Sequence, residues 1–169
     1  MYIIVGLGNP GNDYANTRHN IGRMILGYLE NKKLTGVKLV HLDTFMNKSG
    51  VAVAKALGNP STALRARKEA DKLIVIYDDL DLPLGSLKIS YNRGSGGHKG
   101  VESIIRVLKT KEFIRIRIGI GKKGDVEKHI LSPFKKSELE ILKKVFKRTK
   151  EAIQIITEEG REKAMNRFN

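Results

Sequence analysis

Apolar positions along the chain follow two rhythms. Unbroken runs, Tyr2 to Val5 and Leu73 to Tyr77, have the length and β-branched content of buried strands. Elsewhere apolar residues recur every three or four positions. Ile21, Met24, Ile25, Tyr28 and Leu29 predict a helix over roughly 18–32, and Leu139, Leu142, Phe146, Thr149, Ile153 and Ile156 predict a long C-terminal helix. Between them, Val37–His41 and Leu87–Tyr91 read as strands, and Ser49–Leu57 as a helix stopped by Gly58. A second helix, rich in Arg and Lys, is expected from Ser61 to about Asp71, and Val101, Ile104, Ile105 and Leu108 mark one face of another. Phe113 to Ile120 alternates apolar residues with Arg or Gly, as a strand with one buried face does. Residues 6–16, DDLDLP at 78–83 and NRGSGGHKG at 92–100 read as loops. Strands alternate with helices, so the pattern predicts a single α/β domain over residues 1–169, with helices covering a sheet.

The first loop poses a problem of chemistry. Gly6, Gly8 and Gly11 form G-x-G-x-x-G directly after a strand, the fingerprint of a dinucleotide-binding turn. Such a turn needs a helix to begin near its second glycine, so that the helix N-terminus meets the pyrophosphate. Here Asn9-Pro10-Gly11-Asn12 intervenes, and helical periodicity waits until about residue 18. The acidic residue expected some 20 positions further on is also missing. The context argues against a dinucleotide site. The glycines are instead read as allowing a sharp turn that exposes the Asn9 amide.

Charge adds a partner. The 169 residues carry 32 Lys+Arg against 18 Asp+Glu, a formal net charge of +14, which favours a polyanion such as nucleic acid. Cysteine is absent, which excludes disulfides, Cys-bearing zinc sites and thiol nucleophiles. Neither a signal segment nor an apolar stretch of membrane-spanning length is visible, so a soluble intracellular protein is expected.

Ligands of α/β sheets gather at the C-terminal ends of the strands. The polar groups expected there are Asn9, His19, Asn20, Asn47, Asp78 and the loop around His98 and Lys99. A histidine, a carboxylate and two amides suit hydrolysis by an activated water: the imidazole takes a proton, the carboxylate fixes its tautomer, and the amides donate to the developing oxyanion. Each residue also has a plain structural reading, His19 as a helix start, the asparagines as turn formers or caps, Asp78 as loop solvation. Ser49 and Ser95 lack the G-x-S-x-G of a nucleophile elbow. The histidines at 19, 41, 98 and 129 lack H-x-x-x-H spacing, so no metal site is expected.

Longer motifs join these residues. GLGNPG-x-x-Y-x-x-TRHN-x-G at 6–22, TFMN-x-SG at 44–50, YDDLDLP-x-G at 77–85, GSGGHKG at 94–100 and RIRIGIG at 115–121 occur in this order, and the chain closes on AMNRFN. Over nearly its whole length the sequence resembles bacterial peptidyl-tRNA hydrolases. The resemblance implies one α/β domain with a twisted mixed sheet, working as a cytoplasmic monomer without metal, organic cofactor, membrane or protein partner. It implies cleavage of the ester joining a peptide to the 3′ ribose of tRNA. His19 would be the general base and Asp78 its orienting acid. Asn9 and Asn47 would bind the peptide part near the ester, with Asn47 helping at the oxyanion. Tyr14 would contact the tRNA end and Phe45 the peptide, while the basic Lys88, Arg93, Arg117, Lys122 and Lys123 lie near motif loops, placed to meet the tRNA backbone.

The chain also departs from the pattern of the family it resembles. Lys99 stands where an Asn that contacts the substrate end is usual, and Ser90 where a second lysine is common. The stretch Lys33–Asp43 is short for the strand and hairpin expected there, and residues 61–71 are longer and more basic than expected. The alternative to an enzyme is an RNA-binding relative of the same fold without turnover. The presence of His19, Asp78, Asn9 and Asn47 argues for the enzyme.

Overall fold

The structure, a computed structural model, describes residues 1–169. Its sheet holds β1 (Tyr2–Gly6), β2 (Val37–Val40), β3 (Leu73–Asp79), β4 (Leu87–Tyr91) and β5 (Ile114–Gly119) in the order β2-β1-β3-β5-β4. All neighbours are parallel except β4, which runs antiparallel to β5. The sheet is therefore mixed, and the short 33–43 segment supplies β2 with no further strand.

Helices cover both faces. Ile4, Ile74, Ile76, Ile114, Ile116 and Ile118 point to one side, where they pack on α1 (Ile21–Glu30), α6 (Lys136–Glu159) and α7 (Arg161–Phe168). Val5, Leu73, Val75 and Tyr77 point to the other and pack on α2 (Ser49–Ala56) and α4 (Lys99–Leu108). Each fully buried Ile or Leu contributes about 1.5–3 kcal/mol by leaving water, so the central strands anchor the fold. The basic segment forms α3 (Ala63–Ala70), capped by the Thr62 hydroxyl, which accepts from the Arg65 N–H.

The glycines of the opening motif serve packing. The start of α1 lies so close to β1 that a Cβ on Gly6 would sit 2.0 Å from the Gly22 carbonyl oxygen. A Cβ on Gly22 would sit 2.2 Å from the Ile76 carbonyl oxygen. Only two glycines allow this backbone-to-backbone approach.

The structure differs from the sequence pattern in four places. Strand β5 is buried along its whole length, so Arg115 and Arg117 do not face solvent. Arg115 is fully buried beneath the glycine-rich loop, donating to the Gly94 carbonyl at 2.8 Å and the Lys111 carbonyl at 3.3 Å, with its guanidinium 4.4 Å from the Phe113 ring centre. Asp78 and Asp79 complete β3 rather than open a loop, and α4 starts at Lys99, inside the stretch read as loop. Two helices leave no mark in the periodicity: α5 (Val126–Ile130), capped by Asp125, and α7. Helix α7 lies against the edge strand β4, and the Asn169 side chain bonds both the N–H and the C=O of Ile89 at 2.8 Å.

Candidate active site

The site forms where β1 and β3 end. Asp78 is the penultimate residue of β3, and the carboxylate is buried. β1 runs out at Gly6 and the chain continues to Asn9. His19 sits in a 3-10 turn, Arg18–Asn20, that leads into α1. His98 is the N-cap of α4.

These segments meet at Asp78. His19 Nδ1 lies 3.0 and 2.9 Å from the two carboxylate oxygens, and His98 Nε2 lies 2.9 Å from Oδ1. His98 Nδ1 accepts from the Val101 N–H at 3.4 Å, so the capping bond leaves Nε2–H to donate to Asp78. With Nδ1 of His19 turned to the carboxylate, its Nε2 is left to act on a ligand. Burial pushes the Asp78 carboxyl upward, but the two imidazoles outweigh it and hold the group well below the ordinary carboxylate range. Asp78 is a standing anion that orients two rings.

The other residues of TRHN hold the turn in place. Thr17 donates its hydroxyl to the Tyr14 carbonyl at 2.8 Å. Arg18 is buried, donates to Glu138 at 2.6 Å and to the Ser132 hydroxyl at 3.1 Å, and lies 5.2 Å from the Phe134 ring centre. Asn20 pairs with the backbone of Asn9: its Oδ1 accepts from the Asn9 N–H and its Nδ2 donates to the Asn9 carbonyl, both at 2.9 Å. Asn9 Oδ1 in turn accepts from the Met46 N–H at 2.8 Å. That bond fixes the amide's orientation, and its NH₂ has no partner within the chain.

Asn47 follows Met46 in a second 3-10 turn, Met46–Lys48, and is exposed. Tyr14 and Phe45 form one edge-to-face pair, ring centres 6.3 Å apart, with Phe45 53% exposed. Together with Asn9 these residues make a half-open rim beside the His19–Asp78–His98 cluster. Such an arrangement can take a proton from water and donate to a carbonyl oxygen.

The sequence profile of the peptidyl-tRNA hydrolase family matches residues 3–38 and 29–169. A peptidyl-tRNA hydrolase from Thermodesulfovibrio yellowstonii is 43% identical, over 100% of this chain and 99% of that protein. The chain belongs to the peptidyl-tRNA hydrolase family. Another relative of that name, from Thermotoga maritima, is 43% identical over 99% of this chain and 96% of its own. The crystal structure of peptidyl-tRNA hydrolase from Acinetobacter baumannii has a TM-score of 0.84 and 27% identity, covering 100% of this chain and 94% of that one.

Within this family member, Lys99 is the exposed first residue of α4, next to His98. Lys88, Arg93, Lys122 and Lys123 are exposed, and Lys122 is 3.9 Å from Asp81. Arg117 differs from them. It is buried, with Nη1 donating to Asp79 at 2.8 Å and Nε to Ser90 at 3.0 Å, because β3 and β4 place those side chains beside it. Its guanidinium is taken up by Asp79 and Ser90 and is not an exposed cation like the other four.

Three roles escape a reading of the sequence: the second imidazole on Asp78, the Arg18 anchor and the Asn20 brace. The position of His98 just ahead of a helix signals a cap, yet nothing in the spacing signals its contact with a residue 20 positions earlier. Separation in sequence also hides a metal-type donor set. His19, Asp78 and His98 offer ligand atoms within 4.8 Å of one another, from three separate segments. Each of these atoms is engaged by hydrogen bonds inside the set.

Proposed function

We propose that this protein hydrolyses the ester between a peptide and the 3′ ribose of tRNA, with residues 1–169 acting as one cytoplasmic, monomeric unit. The observation that carries the reading is the buried His19–Asp78 contact at 2.9 Å, set beside the partnerless NH₂ of Asn9. His19 Nε2 takes a proton from a water that attacks the ester carbonyl, while Asp78 stabilises the imidazolium. Asn9 and Asn47 donate to the carbonyl oxygen as it becomes an oxyanion. The tetrahedral intermediate then expels the ribose 3′ oxygen, which recovers the proton from His19. The products are a free peptide carboxyl and a free ribose hydroxyl.

A His–Asp pair supplies on the order of 10² to 10⁴ in rate, enough for an activated ester without a covalent nucleophile. Tyr14 and Phe45 flank the ester, and Lys99 reaches a phosphate near the tRNA end. Lys88, Arg93, Lys122 and Lys123 draw the tRNA backbone, whereas Arg117, buried and paired with Asp79, is withdrawn from that role. The intact cluster supports turnover over RNA binding alone. A single-turnover assay on N-acyl-aminoacyl-tRNA tests this: rapid release of free tRNA is expected, and tight binding without cleavage would replace the hydrolase with an RNA-binding relative.

A further inference from the structure

A groove of about 840 Å³ lies away from the catalytic cluster, between α3 and the C-terminal half of α4. Arg67, Arg106, Lys109 and Lys111 line it, with Glu112 as the one carboxylate. Glu112 is already paired with Arg67, so three cations are left without an acid in the lining. The α3 wall belongs to the 61–71 stretch that is longer and more basic than expected of the family.

The groove is tied to the catalytic residues in two ways. Helix α4 leads directly to it, starting beside His98 and ending at Leu108. Lys99 and Arg106 are seven residues apart on α4, both exposed and on the same face, about 10 Å from one another along the axis. Arg115 makes the second link. It bonds the Lys111 carbonyl of the groove and the Gly94 carbonyl of the loop that ends in His98. Groove and cluster are therefore held at a fixed separation.

We infer that the α3–α4 groove binds the phosphate backbone of the substrate's tRNA, at a point removed from its 3′ end. The inference rests on the tRNA-ester reading above. Phosphates are the occupant that the three uncompensated cations Arg106, Lys109 and Lys111 select, whereas a peptide of arbitrary sequence gains nothing from them. On the exposed stripe of α4, Lys99 and Arg106 mark the course from the ester to the groove, with Glu102 between them as the one acid. Contacts of this kind carry no base information, so the groove adds affinity for any tRNA.

The test is the double variant Arg106→Gln/Lys109→Gln, assayed on N-acetyl-aminoacyl-tRNA and on the same ester carried by a CCA trinucleotide. On the full tRNA, KM should rise about tenfold with kcat unchanged. On the trinucleotide both constants should stay at wild-type values. The salt dependence of tRNA binding should flatten by about two phosphates, a log–log slope change of roughly 1.5. Unchanged KM and slope on tRNA would overturn the inference, as would an equal rise of KM on both substrates. A wild-type protein that cleaves neither substrate would overturn the hydrolase reading instead, and the binding slopes would still decide the groove.

Discussion

His98 Nε2 stands 2.9 Å from Asp78 Oδ1, the oxygen that also lies 3.0 Å from His19 Nδ1. One carboxylate thus holds two imidazoles, and the second restrains the acid that orients the first. A hydrogen bond to a charged group is worth about 1.5–3 kcal/mol, and 1.4 kcal/mol is about tenfold in rate. His98→Ala is expected to lower kcat about tenfold, with KM near wild type. His19→Ala should lower it at least about 10²-fold while circular dichroism and tRNA affinity are kept. Steady-state kinetics on the two variants separates positioning from proton transfer. Equal losses would make His98 a direct participant.

Asp78 should also govern stability in acid. Its folded pKa lies below the unfolded value of 3.8, so the unfolded chain takes up the proton first. The stabilisation is complete above about pH 5 and is lost progressively as pH falls through 4 and below. Asp78→Asn should therefore be the less stable protein at pH 7, with the gap starting to narrow below about pH 4 and closing only well below pH 3. Urea unfolding at a series of pH values measures this, and parallel curves for the two proteins would contradict it.

Arg18 fastens the turn that carries His19 to a segment more than 110 residues away. Removing it leaves Glu138 without its cation in a mostly buried place. Arg18→Met should cost about 2–3 kcal/mol, lowering Tm by about 5–10 °C. Glu138→Gln, which keeps an acceptor for the guanidinium, should cost less. Scanning calorimetry ranks the two.

Helix α1 contains its own control for close packing. A Cβ at Gly22 would strike the Ile76 carbonyl, whereas one at Gly27 would meet nothing within 4 Å. Gly22→Ala should lose about 3 kcal/mol or more, and Gly27→Ala should be neutral or gain up to about 1 kcal/mol. Similar stabilities would show that the helix slides to relieve the clash.

Most elements are legible in the sequence because their burial follows a local period. In β3, Ile74 and Ile76 pack on one side of the sheet and Leu73, Val75 and Tyr77 on the other, so an unbroken apolar run marks a strand covered on both faces. Arg115 and Arg117 break the rule. Charged residues alternating with isoleucine look like a wet face, and what dries it is distant: the loop at Gly94, and Asp79 and Ser90 on neighbouring strands. Helix α7 is hidden because it buries little beyond Ala164. In the site, Asn9, His19 and Asp78 are legible from motifs that are contiguous in sequence. The partners Arg18 finds at Ser132 and Glu138, and the one His98 finds at Asp78, are made only by the folded chain.

The Asn169 side chain acts as a stopper on the growing side of a sheet. It occupies the Ile89 N–H and C=O, which on an outer strand are the groups another chain would pair with. Replacing that amide with alanine opens a short template on β4 with the fold otherwise intact. The consequence appears in crowding rather than in catalysis: a protein with full turnover when dilute, and a new tendency to assemble edge to edge when concentrated.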